Sequence, residues 1–211
     1  MRIVRGKFAG RDLTSPGDGR VRPTAEQVRD GLMNMLHKDL DKARVLDLFS
    51  GTGAIGLEAL SRGARYVDFV ENGPPSLHSL KANIAALRVR DQTRVFKKDA
   101  LPFAAYLEPD RYDITFVDPP YGSRMLDRVI DTWVARRFSR ILVCEHAVTH
   151  ELPRPYDKRI FGETAISIYR QPVVVPDAAT EATASDTASP DARTRAERTP
   201  DERTRDVVEP G

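Results

Sequence analysis

The stretch that decides the fold reads Val45-Leu46-Asp47-Leu48-Phe49-Ser50-Gly51-Thr52-Gly53-Ala54-Ile55-Gly56. It begins with an apolar run that contains one acid, and it ends in a glycine-rich turn. A helix-forming segment, residues 54–62, follows the turn at once and is closed by Gly63. This succession predicts a strand, a glycine turn and a helix, the opening unit of a nucleotide-binding α/β sheet. We expect glycines in the turn because a side chain would hold the backbone away from a ligand at the helix N-terminus.

The ligand of this turn is not identified by the glycines alone. Gly51, Gly53 and Gly56 also satisfy the fingerprint of dinucleotide-binding proteins. Asp47 favours a different ligand, because an aspartate four residues before Gly51 would repel an anionic pyrophosphate. A carboxylate there suits a cationic end, such as the ammonium and sulfonium groups of S-adenosylmethionine. The alternative is that Asp47 only caps or orders the turn.

Predicted strands and helices alternate along the remaining chain. Thr24 is the expected N-cap of the first helix, with Gln27 completing a capping box. The alternation, followed by a hairpin that turns at Gly162-Glu163, predicts an α/β fold with a doubly wound, Rossmann-like sheet and a terminal antiparallel hairpin. The further predicted strands cover residues 66–71, 93–96, 112–117, 140–144, 158–161 and 164–170, and the further helices cover residues 74–88 and 101–107 and a segment from residue 125.

Acids follow two of these strands. Glu71 ends the second strand about 20 residues past the glycines, where the ribose of a nucleotide lies, and its carboxylate can accept from both hydroxyl groups. Asp99 follows the third strand, beside Ala100, and could accept from the amine of an adenine. Asp99 is an equally natural N-cap for the next helix, and the two roles are compatible.

The composition describes an ordinary globular domain. The chain has 211 residues, of which 40% are hydrophobic and 30% charged, enough for one domain with a full core. No run approaches the length of a membrane span, and the N-terminus lacks the apolar core of a signal peptide. The lone Cys144 excludes an internal disulfide and indicates the cytoplasm. Cys144, Glu145, His146 and His150 lack a second ligand cluster, so we predict no metal site.

The two ends of the chain differ in character. Residues 1–22 combine Arg and Lys with glycines, which predicts a basic hairpin or irregular arm suited to phosphates; an ordinary solvated surface is the alternative. Residues 173–211 hold nine acids and five arginines but no Leu, Ile or aromatic residue, which predicts a disordered tail. The expected organisation is thus an arm at 1–22, one domain at 23–172 and a tail at 173–211.

A second site follows the fourth strand, at Asp118-Pro119-Pro120-Tyr121. Two prolines remove two backbone donors and fix φ, which makes a rigid turn rich in acceptors. The Asp118 carboxylate and the Pro119 carbonyl suit an exocyclic amine, and Tyr121 offers a flat face for a planar base. The alternative is a simple turn, which the neighbouring glycine loop disfavours.

With both sites in view, the sequence resembles the class I S-adenosylmethionine-dependent methyltransferases that act on amino groups of bases. More closely, it resembles the RsmD-type 16S ribosomal RNA guanine-N2 methyltransferases. The resemblance covers nearly all of residues 2–171 and rests on several motifs. They are Arg2-Ile3-Val4 with Gly6-Lys7 and Gly10-Arg11, Arg22-Pro23-Thr24 with Arg29, residues 48–64, Glu71, Asn83, the Asp118–Tyr121 turn and Gly162-Glu163-Thr164.

The resemblance implies a seven-stranded sheet of order 3-2-1-4-5-7-6 and methylation of a guanine N2 amine in small-subunit (16S) ribosomal RNA. The partner would be that RNA in the assembled or assembling subunit, and we expect a cytoplasmic monomer without membrane contact. The patterns and the resemblance together assign three sets of residues. Asp118, Pro119 and Tyr121 are expected to be catalytic; Asp47, Phe49, Gly51, Gly53, Glu71, Asp99, Ala100 and Asp118 to bind S-adenosylmethionine; and Arg2, Arg5, Lys7, Arg11, Arg22 and Arg29 to bind RNA.

Three other functions are compatible with some of these motifs. A DNA adenine-N6 methyltransferase shares the chemistry of the Asp118–Tyr121 turn, although no gap between predicted elements could hold the sizeable target-recognition insertion of those enzymes. A nicotinamide-dependent oxidoreductase shares the glycine turn, but Asp47 and the lack of a substrate domain disfavour it. A non-enzymatic RNA-binding assembly factor would not need Asp118 and Tyr121.

Overall fold

The computed structural model describes residues 1–16 and 26–172, and these contain five α-helices and seven β-strands. No helix within these ranges is both long and apolar enough to span a membrane. The helices are α1 (Glu26–Met35), α2 (Ala54–Ser61), α3 (Pro74–Leu87), α4 (Ala100–Ala105) and α5 (Met125–Arg136). The strands are β1 (Arg44–Leu48), β2 (Tyr66–Glu71), β3 (Thr93–Lys97), β4 (Tyr112–Val117), β5 (Ser139–Ala147), β6 (Asp157–Phe161) and β7 (Thr164–Arg170).

All seven strands belong to one sheet of order β3-β2-β1-β4-β5-β7-β6. Strands β1 to β5 are parallel, and β7 lies antiparallel between β5 and β6. The predicted doubly wound sheet, its strand order and its terminal hairpin are therefore confirmed. The direction of winding reverses between β1 and β4, so a crevice opens outside the carboxyl ends of these strands, where ligands bind in such sheets.

The core lies on both faces of the sheet, because successive residues of a strand point to opposite sides. Val45 of β1 packs with the helices α1, α2 and α3, whereas Leu46 and Leu48 pack with α4 and α5. Helix α2 is buried along all eight of its residues. Gly56 allows this close approach, because a Cβ atom there would lie 2.5 Å from Cε1 of Phe69.

Strand β5 extends farther than its sequence indicates. The prediction ended it at Cys144, but the strand continues to Ala147. The cause is its antiparallel partner: β7 pairs Glu145 with Ile166 and Ala147 with Thr164, beyond the point where the parallel partner β4 stops. The extension carries Glu145 to the same edge of the sheet as the Asp118–Tyr121 turn. Helix α1 ends at Met35.

The N-terminal arm is a short hairpin-like segment that packs on α2. An isolated antiparallel bridge joins Arg2 to Asp12, and the Glu58 carboxylate of α2 accepts from the backbone N–H groups of Val4 and Arg5 at 2.8 and 3.0 Å. Three predictions fall outside the described residues. They are the capping box that begins at Thr24, the role of Arg22 and the disorder of residues 173–211.

The burial of Arg29 contradicts the prediction that this residue binds RNA. Its side chain is completely buried, and its Nε lies 3.4 Å from Oε2 of Glu58, which is buried to the same degree. A guanidinium without exposed surface cannot contact RNA, so the assignment of Arg29 to RNA binding is wrong. The residue instead neutralises the carboxylate that holds the arm. Arg62 pairs with the second oxygen of Glu58 at 2.9 Å.

The buried Glu58 carboxylate generates a stability prediction. Glu58→Gln would remove the buried carboxylate that faces the Arg29 charge, and breaking such a pair costs about 3–5 kcal/mol. We therefore expect a loss of that size in the free energy of urea-induced unfolding. Glu163→Gln, at an exposed position in the hairpin turn, is the matched control and should leave stability unchanged. Equal stability of the two variants would show that the buried pair does not anchor the arm.

Candidate active site

A cavity of about 510 Å³ occupies the crevice at the carboxyl ends of the parallel strands β1 to β5. Nine of the predicted catalytic and cofactor-binding residues line it, and they lie at the ends of four different strands or directly after them. They are Asp47, Phe49, Gly51, Glu71, Asp99, Ala100, Asp118, Pro119 and Tyr121. The fold thus brings the glycine turn and the Asp118–Tyr121 turn to one site.

Gly53 does not line the cavity. Its φ of 79° lies in the left-handed region, and a Cβ atom there would lie 2.4 Å from Cδ1 of Leu80 on α3. Glycine is therefore required by backbone conformation and by packing against α3. The reason given from the sequence, close approach of a ligand, is not the one that the geometry supplies at this position. A direct contact of Gly53 with the cofactor stays a prediction.

Asp47 is 2% exposed, and one of its carboxylate oxygens is hydrogen-bonded to the protein backbone. Oδ2 accepts from the backbone N–H of Gly56 at 3.0 Å, in the first turn of α2. The pKa of this carboxyl is raised to about 7, mainly by burial; the hydrogen bond from Gly56 opposes the shift, and the nearby Glu71 carboxylate adds to it. The carboxyl orders the turn and also borders the cavity, so both interpretations of Asp47 are compatible with its position.

Glu71 holds the two loops that flank it. Its Oε2 accepts from Gly51 N–H at 2.8 Å, and its Oε1 accepts from Asn72 and Gly73 N–H at 2.9 and 2.6 Å. A carboxylate has about four acceptor sites, so one site, on Oε2, is left for a hydroxyl donor. The sequence suggested that both hydroxyls of a ribose could be held. In the ligand-free geometry there is room for one.

Asp99, which follows β3, and Phe49, which follows β1, form further parts of the cavity wall. Asp99 is the N-cap of α4, because its Oδ1 accepts from Leu101 N–H at 2.9 Å. Phe49 has a φ of 59°, which is costly for a bulky residue and persists only where the surrounding structure imposes it. Such strained residues cluster at functional sites. Phe49 is half-buried against the core and borders the cavity.

The Asp118–Tyr121 turn is tied to the antiparallel end of the sheet. Tyr121 remains partly exposed, and its hydroxyl lies 3.1 Å from Oγ1 of Thr164 and 3.5 Å from Oε1 of Glu145. Pro119 is buried and Asp118 is half-buried at the cavity wall. The tyrosine ring is thus held by its hydroxyl end, which presents one orientation of the ring to the cavity.

Glu145 is the principal site residue that sequence reasoning missed. It is 7% exposed, and it borders the main cavity as well as a second one of about 240 Å³ on the other side of Tyr121. The signal was an acid at the end of an apolar strand, the same signal that identified Glu71. The sequence suggests for Glu145 only a place in a metal cluster with Cys144, His146 and His150, and that cluster lacks a second set of ligands.

The residues around Cys144 are occupied by other bonds. Since a carbonyl can only accept, Nδ1 of His146 donates to Ala147 O at 2.9 Å, and Nε2 then accepts from the Ser167 hydroxyl at 2.9 Å. Burial lowers the pKa of His146, which favours this neutral form, and burial raises the pKa of the Cys144 thiol. In the described ranges, no cluster of three or more His, Cys, Asp or Glu side chains could hold a metal ion.

Four of the cations predicted to bind RNA lie on the arm and are exposed. Their positions are set by contacts within the protein, and the first residue of the arm, Met1, borders the cavity. The contacts are Arg2 with Glu26 at 3.3 Å, Arg5 with Asp30 at 2.7 Å, Lys7 over the ring of Phe8 at 5.3 Å, and Arg11 with Ala86 O at 2.9 Å. RNA binding by these cations stays a prediction.

Known proteins resemble the chain over most of its length. Residues 1–170 match the family described as Conserved hypothetical protein 95. Ribosomal RNA small subunit methyltransferase D of Escherichia coli K12 is 31% identical over 182 residues, covering 81% of this chain and 90% of that protein. A structure of a hypothetical protein from Thermus thermophilus aligns with a TM-score of 0.69 at 28% identity, covering 81% of this chain and 99% of the other. A 16S rRNA N2-guanine methyltransferase of T. thermophilus, in complex with AdoMet and guanosine, shares the fold with a TM-score of 0.58 at 20% identity, covering 74% of this chain and 45% of the other.

The raised pKa of Asp47 generates a prediction for the ligand-free protein. The unfolded chain releases this proton near the ordinary pKa of 3.8 and the folded protein only near about 7. Because the folded pKa is the higher one, stability falls as the pH rises between these two values. Asp47→Asn removes that loss and keeps an oxygen for Gly56 N–H. We expect the variant to be more stable than the wild type at pH 8 in urea unfolding, with a smaller difference at pH 5.

Asp131→Asn, at an exposed position of α5, is the control for the Asp47 comparison. It should shift stability little at either pH, because an exposed carboxylate stays solvated in both states. If the wild-type protein were at least as stable as Asp47→Asn at pH 8, the buried Asp47 carboxylate would not destabilise the fold. That result would contradict the prediction.

Proposed function

The chain belongs to the protein family described as Conserved hypothetical protein 95, and on that premise we propose that it methylates the exocyclic N2 amine of a guanine in small-subunit ribosomal RNA. Its membership and its relatives make it an S-adenosylmethionine-dependent rRNA methyltransferase. The guanine N2 atom as acceptor, the small subunit or its assembly intermediate as partner, and a monomer in the cytoplasm are the proposed parts. One observation supports an exocyclic amine of a base as the acceptor: the Asp118–Tyr121 turn borders the same cavity as the glycine turn.

The residues of the main cavity fit S-adenosylmethionine better than a dinucleotide. Asp47, Glu71 and Asp99 border it, and Lys98 is the only lysine or arginine among its described lining residues. Three carboxyl groups suit an ammonium, a ribose hydroxyl and an adenine amine, each of which donates hydrogen bonds. They would repel the pyrophosphate of a nicotinamide cofactor. When bound, S-adenosylmethionine supplies an electrophilic methyl group at a sulfonium.

The protein's own acids would orient the cofactor. Glu71 accepts from a ribose hydroxyl with the acceptor site that the turn leaves on Oε2. Asp47 faces the cationic end, and that charge favours the ionised carboxylate against the burial that disfavours it. Asp99 keeps one oxygen on the N-terminus of α4 and can offer the other to the adenine amine.

The Asp118–Tyr121 turn would prepare the nucleophile. A target guanine leaves its stack, at a cost of a few kcal/mol, and rests on the Tyr121 ring. Asp118 and the Pro119 carbonyl accept the two N2 hydrogens, so that the nitrogen lone pair points at the methyl group. Asp118 and the Pro119 carbonyl would thus hold the amine in line with the sulfonium methyl group that bound S-adenosylmethionine would supply. The nitrogen then releases one proton towards Asp118 or water, and fixed acceptors stabilise its developing positive charge.

The other functions fit these observations less well. A DNA adenine-N6 methyltransferase would use the same turn, but the connections between described elements are short and contain no recognition insertion. An oxidoreductase is disfavoured by the acidic lining of the cavity. A binding-only assembly factor would have no use for a tyrosine anchored beside an acceptor-rich turn.

Methyl transfer from radiolabelled S-adenosylmethionine tests the proposal directly. Unmodified small ribosomal subunits, naked rRNA and unmethylated DNA are offered separately, and the product is identified after digestion to nucleosides. Label in N2-methylguanosine supports the proposal and also shows whether free RNA suffices. Label in DNA as N6-methyladenine would favour the first alternative. Binding of the cofactor without transfer to any of the three would favour the assembly factor.

Asp118→Ala tests the role of the acceptor turn. We expect turnover to fall about 10²- to 10³-fold, because a fixed group that stabilises developing charge is lost. Affinity for S-adenosylmethionine, measured by calorimetry, should change little. Asp131→Ala on the exposed face of α5 is the control. If Asp118→Ala instead lost most of its affinity for S-adenosylmethionine, the main role of Asp118 would be to bind the cofactor and not the amine of the base.

Lys7→Gln combined with Arg11→Gln tests the arm. Both side chains are exposed and make no described ion pair, so their loss should weaken RNA binding. The slope of log K against log salt should become shallower by about 0.7 for each lost phosphate contact. Arg65→Gln with Arg136→Gln, two exposed arginines that lie outside the arm, is the matched control. An unchanged affinity and slope in the arm variant would remove the arm from the RNA interface.

A further inference from the structure

We propose that Glu145 reads the ring N1–H of the target base and thereby restricts the enzyme to guanine. This inference rests on the proposed function and deepens it, since it assigns a specificity-determining residue to the same site. The observation behind it is a buried carboxylate at the boundary of two cavities, next to the turn that would hold the exocyclic amine.

The second cavity adjoins the main cavity at the Asp118–Tyr121 turn. It has a volume of about 240 Å³, and it shares four lining residues with the main cavity. Pockets for drug-sized ligands span about 300–1,000 Å³, so this smaller space suits a single base. The shared residues are Pro119, Pro120, Tyr121 and Glu145. A base resting on Tyr121 would therefore lie next to both the acceptor turn and Glu145.

The position of Glu145 is determined by the sheet. It lies in the part of β5 that pairs with β7 beyond the end of β4, opposite Ile166, and this pairing sets the position of its backbone. Its side chain is 7% exposed and borders both cavities, and its Oε1 lies 3.5 Å from the Tyr121 hydroxyl. Thr164 shares that hydroxyl at 3.1 Å. The carboxylate and the ring on which the base would rest are thus held in one fixed relation.

Two histidines complete the wall of the smaller cavity next to Glu145. His146 is neutral, with its Nδ1 hydrogen donated to Ala147 O and its Nε2 facing the Ser167 hydroxyl. His150 faces Asp127 at 3.2 Å. The two imidazole rings therefore direct these polar atoms to other partners, and they serve as walls of the cavity.

The chemistry of the bases explains the selection. In guanine, a ring nitrogen next to the amine-bearing carbon carries a hydrogen, so a carboxylate can accept from it while the turn accepts from the amine. In adenine and cytosine the corresponding ring nitrogen has a lone pair, which a carboxylate repels. A buried acceptor that faces another acceptor carries the full cost of desolvation. The same Asp118–Tyr121 turn would otherwise accept any amino base.

The substitution Glu145→Gln separates this role from a structural one. Glutamine keeps the volume of the side chain, but it offers an N–H donor as well as an oxygen. The substrate, free RNA or reconstituted subunit as the labelling assay indicates, carries either guanine or 2-aminopurine at the methylated position. 2-Aminopurine keeps the amine and has a lone pair at N1. The quantity compared is the ratio of kcat/KM for guanine to that for 2-aminopurine.

We expect the wild-type protein to prefer guanine about 10- to 100-fold, the range of a hydrogen bond to a charged group. In Glu145→Gln, kcat/KM for guanine should fall by a similar factor. The preference should shrink to within about threefold, because the amide can donate to the N1 lone pair. Glu108→Gln, an exposed glutamate after α4, should retain the wild-type ratio. A purely structural role of Glu145 would lower both rates together and leave the ratio unchanged, which would overturn the proposal.

Two outcomes separate failure of this inference from failure of the proposed function. If the wild-type protein methylates 2-aminopurine as readily as guanine, Glu145 does not recognise the N1 hydrogen of guanine. This result would not depend on any variant. If the wild-type protein labels no guanine at all, the proposed function itself is wrong, and Glu145 has no guanine to select.

Discussion

The burial of α2 is the constraint on which the other parts of this protein depend. One side of the helix packs so closely on β2 that only glycine fits at position 56, and the N–H of that glycine is bound by Asp47 of β1. The other side holds the arm, through the Glu58 carboxylate and through a contact in which a Cβ at Gly6 would lie 1.9 Å from Ser61 O. The sheet, the glycine turn and the arm are therefore oriented by one short helix, and a shift in any of them must be accommodated by the other two.

The acids of the main cavity bind backbone groups of the protein and are also placed to bind a ligand. Asp47, Glu71 and Asp99 each bind backbone N–H groups of a turn or a helix start before any ligand is present. These bonds fix the carboxylates in place, so that little ordering remains to be done when a ligand arrives. The cost is visible at Asp47, where burial raises the pKa to about 7. A cationic ligand would relieve that cost, which links the unfavourable burial of this carboxyl to the charge of the cofactor.

The acceptor side of the site is built differently, from the antiparallel end of the sheet. Strand β7 reverses direction beside β5 and prolongs it past the point where its parallel neighbour ends. This prolongation places Glu145 near Thr164, and the two side chains approach the hydroxyl of Tyr121. The terminal hairpin thus does more than close the sheet, since it sets the orientation of the ring on which a base would rest.

The sequence by itself determined the local features. The glycine turn, the acids at strand ends, the two prolines after β4 and the alternation of strands with helices depend on neighbouring residues, and periodicity and spacing reveal them. Only the tertiary structure decided which charges are exposed. Arg29 belongs to a segment that resembles an RNA-binding motif, yet it is buried against Glu58, 29 positions away. Glu145 looked like an ordinary acid after a strand until β7 extended that strand into the site. Burial depends on partners that are remote in sequence, and no local pattern carries that information.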